Sequence, residues 1–171
     1  MLKLLLLLSF VWAVSIYDLQ FNDIDGNVQS MDQYRTAGKK ILFVNLASNS
    51  TRINQITGLK QLQQQYANKL IIIGFPSNSF GHEPLHNDSI KIFYQNLYQI
   101  NFALSTKASV TGSDAHPVYQ WLQNKSENNI LDQPVGGDFQ KYLVNEEGML
   151  IAVFSPAVEP LDEKITEAVL Q

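Results

Sequence analysis

The chain is expected to fold as an α/β domain in which helices flank a mixed central sheet and a β-hairpin precedes it. Three observations predict this. Residues 41–44 and 70–75 are uncharged apolar runs, rich in Ile, Leu, Val and Phe, of the kind that forms strands covered on both faces. Between them, Ile53, Ile56, Leu59, Leu62 and Tyr66 recur every three or four residues with Gln and Lys in the gaps, which predicts an amphipathic helix. Toward the C-terminus, residues 139–144 and 149–154 form two further strand-like stretches separated by Asn145-Glu146-Glu147-Gly148, a turn sequence.

With 171 residues the chain fits one domain, long enough to bury roughly two thirds of its unfolded surface. A net charge of −4, with twelve Lys and Arg spread along the chain, leaves no basic stripe, so nucleic acid is not an expected partner. Residues 1–15 differ in kind. Lys3 precedes an apolar stretch too short to span a bilayer, and Ala13 and Ser15 have the small-residue spacing read by a signal peptidase. The expectation is a secretory signal cut after Ser15, leaving one domain over residues 16–171. That domain would be periplasmic or extracellular, free of the membrane and monomeric; an uncleaved anchor is the alternative. The chain contains no cysteine, so it has neither disulfides nor thiol chemistry.

In order along the chain, residues 16–21 alternate like a strand, and Asp23-Ile24-Asp25-Gly26-Asn27 supplies a hairpin turn. The run at 41–44 breaks into Ala47-Ser48-Asn49-Ser50-Thr51, a polar turn at a strand's carboxyl end, where open α/β sheets place ligands. The predicted helix spans about residues 53–67. The strand at 70–75 ends in a second polar loop, Pro76-Ser77-Asn78-Ser79-Phe80-Gly81, so two strands point toward one site. Asn87 or Asp88 can cap a helix carrying Ile90, Ile92, Phe93 and Leu97, and Asp114 can cap another carrying Val118, Trp121 and Leu122. Trp121, Phe93, Phe102 and Tyr119 have the spacing of core residues. A loop over 128–138 leads to the last two strands, and a closing helix is expected over about 161–170. Thioredoxin-like topology is the simplest arrangement of these elements.

Several segments, in this order and spacing, resemble the glutathione peroxidase family over nearly the whole chain after the leader. They are Tyr17-Asp18-Leu19 with Asp23-Ile24-Asp25-Gly26, Val44-Asn45-Leu46-Ala47-Ser48, Gly74-Phe75-Pro76 with Asn78 and Phe80-Gly81, and Glu83-Pro84. Asp114-Ala115-His116-Pro117-Val118-Tyr119, Phe139-Gln140-Lys141-Tyr142-Leu143-Val144 and Phe154-Ser155-Pro156 complete the pattern. The resemblance implies a thioredoxin-like fold and, as family activity, the reduction of hydroperoxides by a thiol in the response to oxidative stress. The short connection from Trp121 to Gly137 is similar to that of members lacking the long oligomerisation loop.

The family's chemistry rests on a thiol or selenol that attacks peroxide oxygen as an anion and is then reduced again. The resemblance places that nucleophile at Ser50, its supporting glutamine at Ser79, and its Trp-Asn pair at Gly137 and Asp138. All four are replaced, and the frequent resolving-cysteine position is Ser77. A serine hydroxyl is not oxidised and recycled in this way, and its activation for hydrolysis requires an adjacent base that the sequence does not display. Asp138 adds a like charge where an anionic nucleophile would form. The pattern implies a family member whose peroxidase chemistry is lost and which serves as a binding or interaction module for a small anion, a thiol ligand or a protein. No cofactor and no metal are expected.

Other clusters invite competing readings. His82-Glu83-Pro84-Leu85-His86 matches the H-E-x-x-H pattern of zinc peptidases, but that chemistry needs both histidines one turn apart on a helix, and Pro84 argues for a loop. A hydrolase using Ser50 or the His82/His86 pair, or a peroxidase-type enzyme using other residues, is therefore the alternative. His116 fits a structural residue near a helix N-terminus better than a base. Ser48, Ser50, Thr51, Asn78 and Ser79 could line a polar anion pocket.

Overall fold

The computed structural model describes residues 14–171, so the predicted leader lies outside the described residues except for Val14 and Ser15. The main sheet has five strands in the order β5-β4-β3-β6-β7, and a separate two-stranded hairpin precedes it. The hairpin pairs β1 (Gln20–Asn22) with β2 (Val28–Ser30). The alternation over 16–21 is only partly a strand, since Ile16–Asp18 forms a 3-10 turn. Ser15 caps it by accepting the Tyr17 N–H and donating its own N–H to Asp18, while the Trp121 indole N–H donates to the Val14 carbonyl at 2.7 Å. Residues Val14 and Ser15 are thus part of the folded body. A short helix α1 (Asp32–Arg35) follows.

The strands β3 (Lys40–Leu46) and β4 (Leu70–Pro76) run parallel in register from Lys40 opposite Leu70 to Leu46 opposite Pro76, so both end at one edge. Their continuous apolar character has a direct cause. Leu42, Val44, Leu46 and Ile72 pack on one face against Ile56, Leu59 and Leu62 of α2 (Gln55–Gln65) and Ile165 and Val169 of α6 (Glu163–Leu170). Ile41, Phe43, Ile73 and Phe75 pack on the other face against Ile16, Tyr17, Phe21 and α4 (Pro117–Gln123). A two-residue parallel strand β5 (Ala103–Leu104) extends the sheet beyond β4. On the other side β6 (Lys141–Val144) is antiparallel to β3 and to β7 (Leu150–Phe154). The β6–β7 turn requires Gly148, whose φ is +82° and where a Cβ would lie 2.6 Å from the Tyr17 ring.

Two helix expectations change. The helix α3 (Asn87–Lys91) takes no side-chain cap and continues as a π-helix over Ile92–Leu97. The wider turn carries Ile92 and Leu97 to the surface, while Ile90 and Tyr94 stay buried. At α4 the cap is His116, not Asp114: its Nδ1 accepts the Val118 N–H at 3.2 Å and Pro117 fills the first helical position. Between α4 and β6 lies a short helix α5 (Lys125–Asn128).

Candidate functional site

The carboxyl ends of β3 and β4 present the two polar loops side by side. The turn after β3 closes through Ser50 N–H to Ala47 C=O at 3.2 Å, and the Ser50 hydroxyl accepts the Arg52 N–H at 3.3 Å. Ser50 is 5% exposed. Buried and acting as a turn acceptor, its hydroxyl makes no hydrogen bond to a basic side chain among the described residues.

The turn is held from below by Glu83, which is fully buried. Its carboxylate accepts the Ser48 hydroxyl at 2.6 Å and the Ser48 N–H at 2.8 Å, with the Leu85 N–H and the Tyr94 hydroxyl more distant at 3.3 Å. The Glu83 N–H in turn donates to the Asn78 side chain at 3.0 Å, which ties the β3 turn to the β4 loop. Burial, followed by the Glu83 and Asp138 carboxylates, pushes the Tyr94 hydroxyl pKa far above its ordinary value.

Asp138 is 3% exposed and hydrogen-bonded to His82 Nδ1 at 2.6 Å through Oδ2, while its Oδ1 is buried without a partner among the described residues. The ring of His82 is half exposed, and its carbonyl accepts the Asn49 N–H at 2.9 Å. Asn45, at the end of β3, donates from its side chain to the Gly137 carbonyl at 3.0 Å and accepts the Phe139 N–H on its own carbonyl at 2.7 Å. Ser50, Gly137 and Asp138 thus belong to one assembly, linked through Asn49, His82 and Asn45.

Ser79 faces another way. Its hydroxyl accepts from Ser77 Oγ and from the Val110 N–H, both at 3.0 Å, and lies 3.4 Å from Ser109 Oγ. Together with Asn78, Lys107 and Ala108 it lines an open cavity of about 290 Å³. No hydrogen bond joins Ser79 to Ser50 or to Asp138 among the described residues. The polar set expected to surround one anion is therefore divided: Ser48 and Asn78 are consumed by Glu83, and Ser79 by the loop after β5.

The zinc-peptidase arrangement does not form. Residues 82–86 are an extended loop, with His86 at φ −87° and ψ 164° just before α3, and Glu83 points inward. His116 is the α4 cap and is part-buried, with burial lowering its pKa. Among the described residues no group of three or more His, Asp or Glu is placed to hold a metal. Sequence reasoning missed the pairing of His82 with Asp138 and the anchoring of Ser48 by Glu83. The only local signals were an acid beside Gly137 and the Glu-Pro pair.

The sequence profile of the family described as Glutathione peroxidase matches residues 16–123. A glutathione peroxidase of Lactococcus lactis is 33% identical over 156 residues, covering 89% of this chain and 98% of its own. A glutathione peroxidase-like peroxiredoxin of Schizosaccharomyces pombe is 36% identical over 146 residues, covering 84% and 90%. Among solved structures, Trgpx in its apo form superposes with a TM-score of 0.69 at 28% identity, covering 94% of this chain and 98% of that one. A thioredoxin-family thiol:disulfide interchange protein from Chlorobium tepidum superposes with a TM-score of 0.65 at 15% identity, covering 95% and 100%, and bears on the fold alone. The fold is thioredoxin-like, and with relatives matched almost end to end the chain belongs to the glutathione peroxidase family.

Proposed function

We propose that this family member does not reduce hydroperoxides by the thiol route and acts, once exported to the periplasm or the extracellular space, as a binding or interaction module. The observation that carries the reading is Ser50, a buried turn-forming hydroxyl where the resemblance places the nucleophile, in a chain without cysteine. Oxygen at this position has no equivalent of the sulfenic acid that the family's cycle passes through. The electrostatics agree with that reading. Two buried carboxylates, Glu83 and Asp138, underlie the turn, and a forming anion there would meet like charge instead of donors. The same carboxylates disfavour a small anion as the ligand, which leaves a thiol compound or a protein surface as the better fit.

The test is hydroperoxide turnover by the protein begun at Val14, with glutathione or thioredoxin as reductant. The expected rate equals that of a protein-free control. Turnover above it that disappears in Ser50→Ala would overturn the proposal. Ser50→Cys alone is expected to remain at least about 100-fold below a fourfold variant that also carries Ser79→Gln, Gly137→Trp and Asp138→Asn, because a single oriented donor around a developing charge contributes about that much. Equal rates would show an intact pocket and a loss confined to one atom.

A further inference from the structure

We propose that Asn49 is an N-glycosylation acceptor and that its glycan stands over the former reaction site. Residues Asn49-Ser50-Thr51 form the N-x-T triplet that oligosaccharyltransferases recognise, with Ser50 as the middle residue. The turn that lost its nucleophile thus acquired an acceptor signal at the same three positions. The inference rests on the extracellular arm of the export reading, since the transferase acts in the lumen of the secretory pathway.

The folded structure accommodates a sugar there. Asn49 and Thr51 are both exposed. Only the main-chain N–H of Asn49 is used by the fold, donating to the His82 carbonyl; its carboxamide takes part in no hydrogen bond among the described residues. Two other triplets occur, and their asparagines are engaged. Asn87 opens α3, is part-buried and accepts the Lys107 N–H on Oδ1 at 2.8 Å. Asn124 is exposed but donates from Nδ2 to the Gln120 carbonyl at 2.7 Å. Burial of Ser50 is no obstacle, because it is only the middle residue of the triplet and the exposed residues are Asn49 and Thr51 on either side of it.

In the transfer step, Asn49 Nδ2 forms a bond to the anomeric carbon of a lipid-linked oligosaccharide. The bond from that carbon to the polyisoprenyl pyrophosphate oxygen breaks, the oxygen keeps the electron pair, and the displaced amide proton passes to solvent through the transferase. The product places a branched polar chain beside Ser50 and His82, the residues a substrate would have to reach.

The experiment uses the full chain, leader included, with a C-terminal tag, produced in a cultured animal cell. Protein recovered from the medium is treated with peptide N-glycanase in heavy-oxygen water, which converts a glycosylated asparagine into a labelled aspartate, and is then mapped by mass spectrometry. The expected result is label at position 49, lost in Asn49→Gln and Thr51→Ala and retained in Thr51→Ser. Secreted protein unlabelled at position 49, whether or not it is labelled at 87 or 124, overturns the proposal and leaves the export reading standing. Protein found only in the cytosol with its leader intact overturns both. For the covering role, the rate at which diethyl pyrocarbonate modifies His82 is compared between the glycosylated form and Asn49→Gln. A several-fold slower reaction in the glycosylated form is expected, and equal rates would remove the claim that the sugar stands over the site.

Discussion

Ser48 and Glu83 grip each other twice, the hydroxyl of Ser48 donating to one carboxylate oxygen at 2.6 Å and its main-chain N–H to the other at 2.8 Å, with Glu83 wholly out of solvent. The two residues are 35 apart in sequence, so this contact fastens the β3 turn to the loop after β4. It involves none of Ser50, Ser79, Gly137 and Asp138, so this fastening does not depend on what stands at those four positions.

Glu83→Gln should therefore be costly for a near-isosteric change. Whichever way the carboxamide is turned, its NH₂ faces a main-chain N–H, that of Ser48 or that of Leu85. The expected loss is about 2 kcal/mol, the cost of an unsatisfied buried donor. Urea unfolding checks it, and a midpoint unchanged from the parent chain would show that the grip contributes nothing.

The pair formed by His82 and Asp138 should respond asymmetrically. His82→Ala leaves a carboxylate 3% exposed without a hydrogen-bond partner, at a cost of about 2 kcal/mol, reduced from fully buried pairs because solvent reaches the histidine side. Asp138→Asn still offers an oxygen to Nδ1–H, and removal of the buried charge offsets the NH₂ left at the unpartnered Oδ1 position, so a net change within about 1 kcal/mol is expected. In the Asp138→Asn background, His82→Ala should cost less than half of what it costs alone. A double-mutant cycle measures the coupling, and additive effects would contradict it.

Lys141 should imprint a pH dependence on stability. Its ammonium is buried among Gln55 Oε1, the Phe139 carbonyl and the Val158 carbonyl, at 2.7, 2.8 and 2.7 Å, and burial pulls its pKa down to about 8. The unfolded lysine holds its proton to about pH 10.4. Between those values the unfolded chain binds more protons, so this group makes stability rise with pH, by at most about 1.4 kcal/mol per pH unit. Above about pH 9.5 the buried tyrosines Tyr94, Tyr119 and Tyr142 reverse the trend. Burial keeps their hydroxyls protonated in the fold while the unfolded ones ionise. Urea titrations at about pH 8, 8.5 and 9 should show the rise in the parent chain and its absence in Lys141→Met; parallel profiles would count against it.

What was legible in the sequence follows from what locality can encode. Burial on both faces writes an unbroken apolar run, so residues 41–44 and 70–75 declared β3 and β4, and a half-buried helix writes a period, so α2 was visible too. The 3-10 turn at Ile16–Asp18 reads as a strand in sequence because its buried Ile16 and Tyr17 lie next to Phe21 in a short alternating stretch. Two residues, Ala103 and Leu104, are too few to show any period. The π-helix defeated the 3.6-residue template, since its wider turns bring Ile92 and Leu97 out to solvent. At the site, the turn carrying Ser50 was apparent from the break in the apolar run. The bond between His82 and Asp138 joins residues 56 apart, and nothing local to either names the other.

The tether from Trp121 to Val14 has a practical consequence for any shortened form of the protein. Starting the chain at Ile16 would remove the Ser15 cap and leave an indole N–H, on a side chain only 4% exposed, without its acceptor. Starting it at Val14 keeps both. The working N-terminal boundary for expression, crystallisation or fusion is therefore Val14, two residues ahead of the first residue that the leader pattern alone would leave in place.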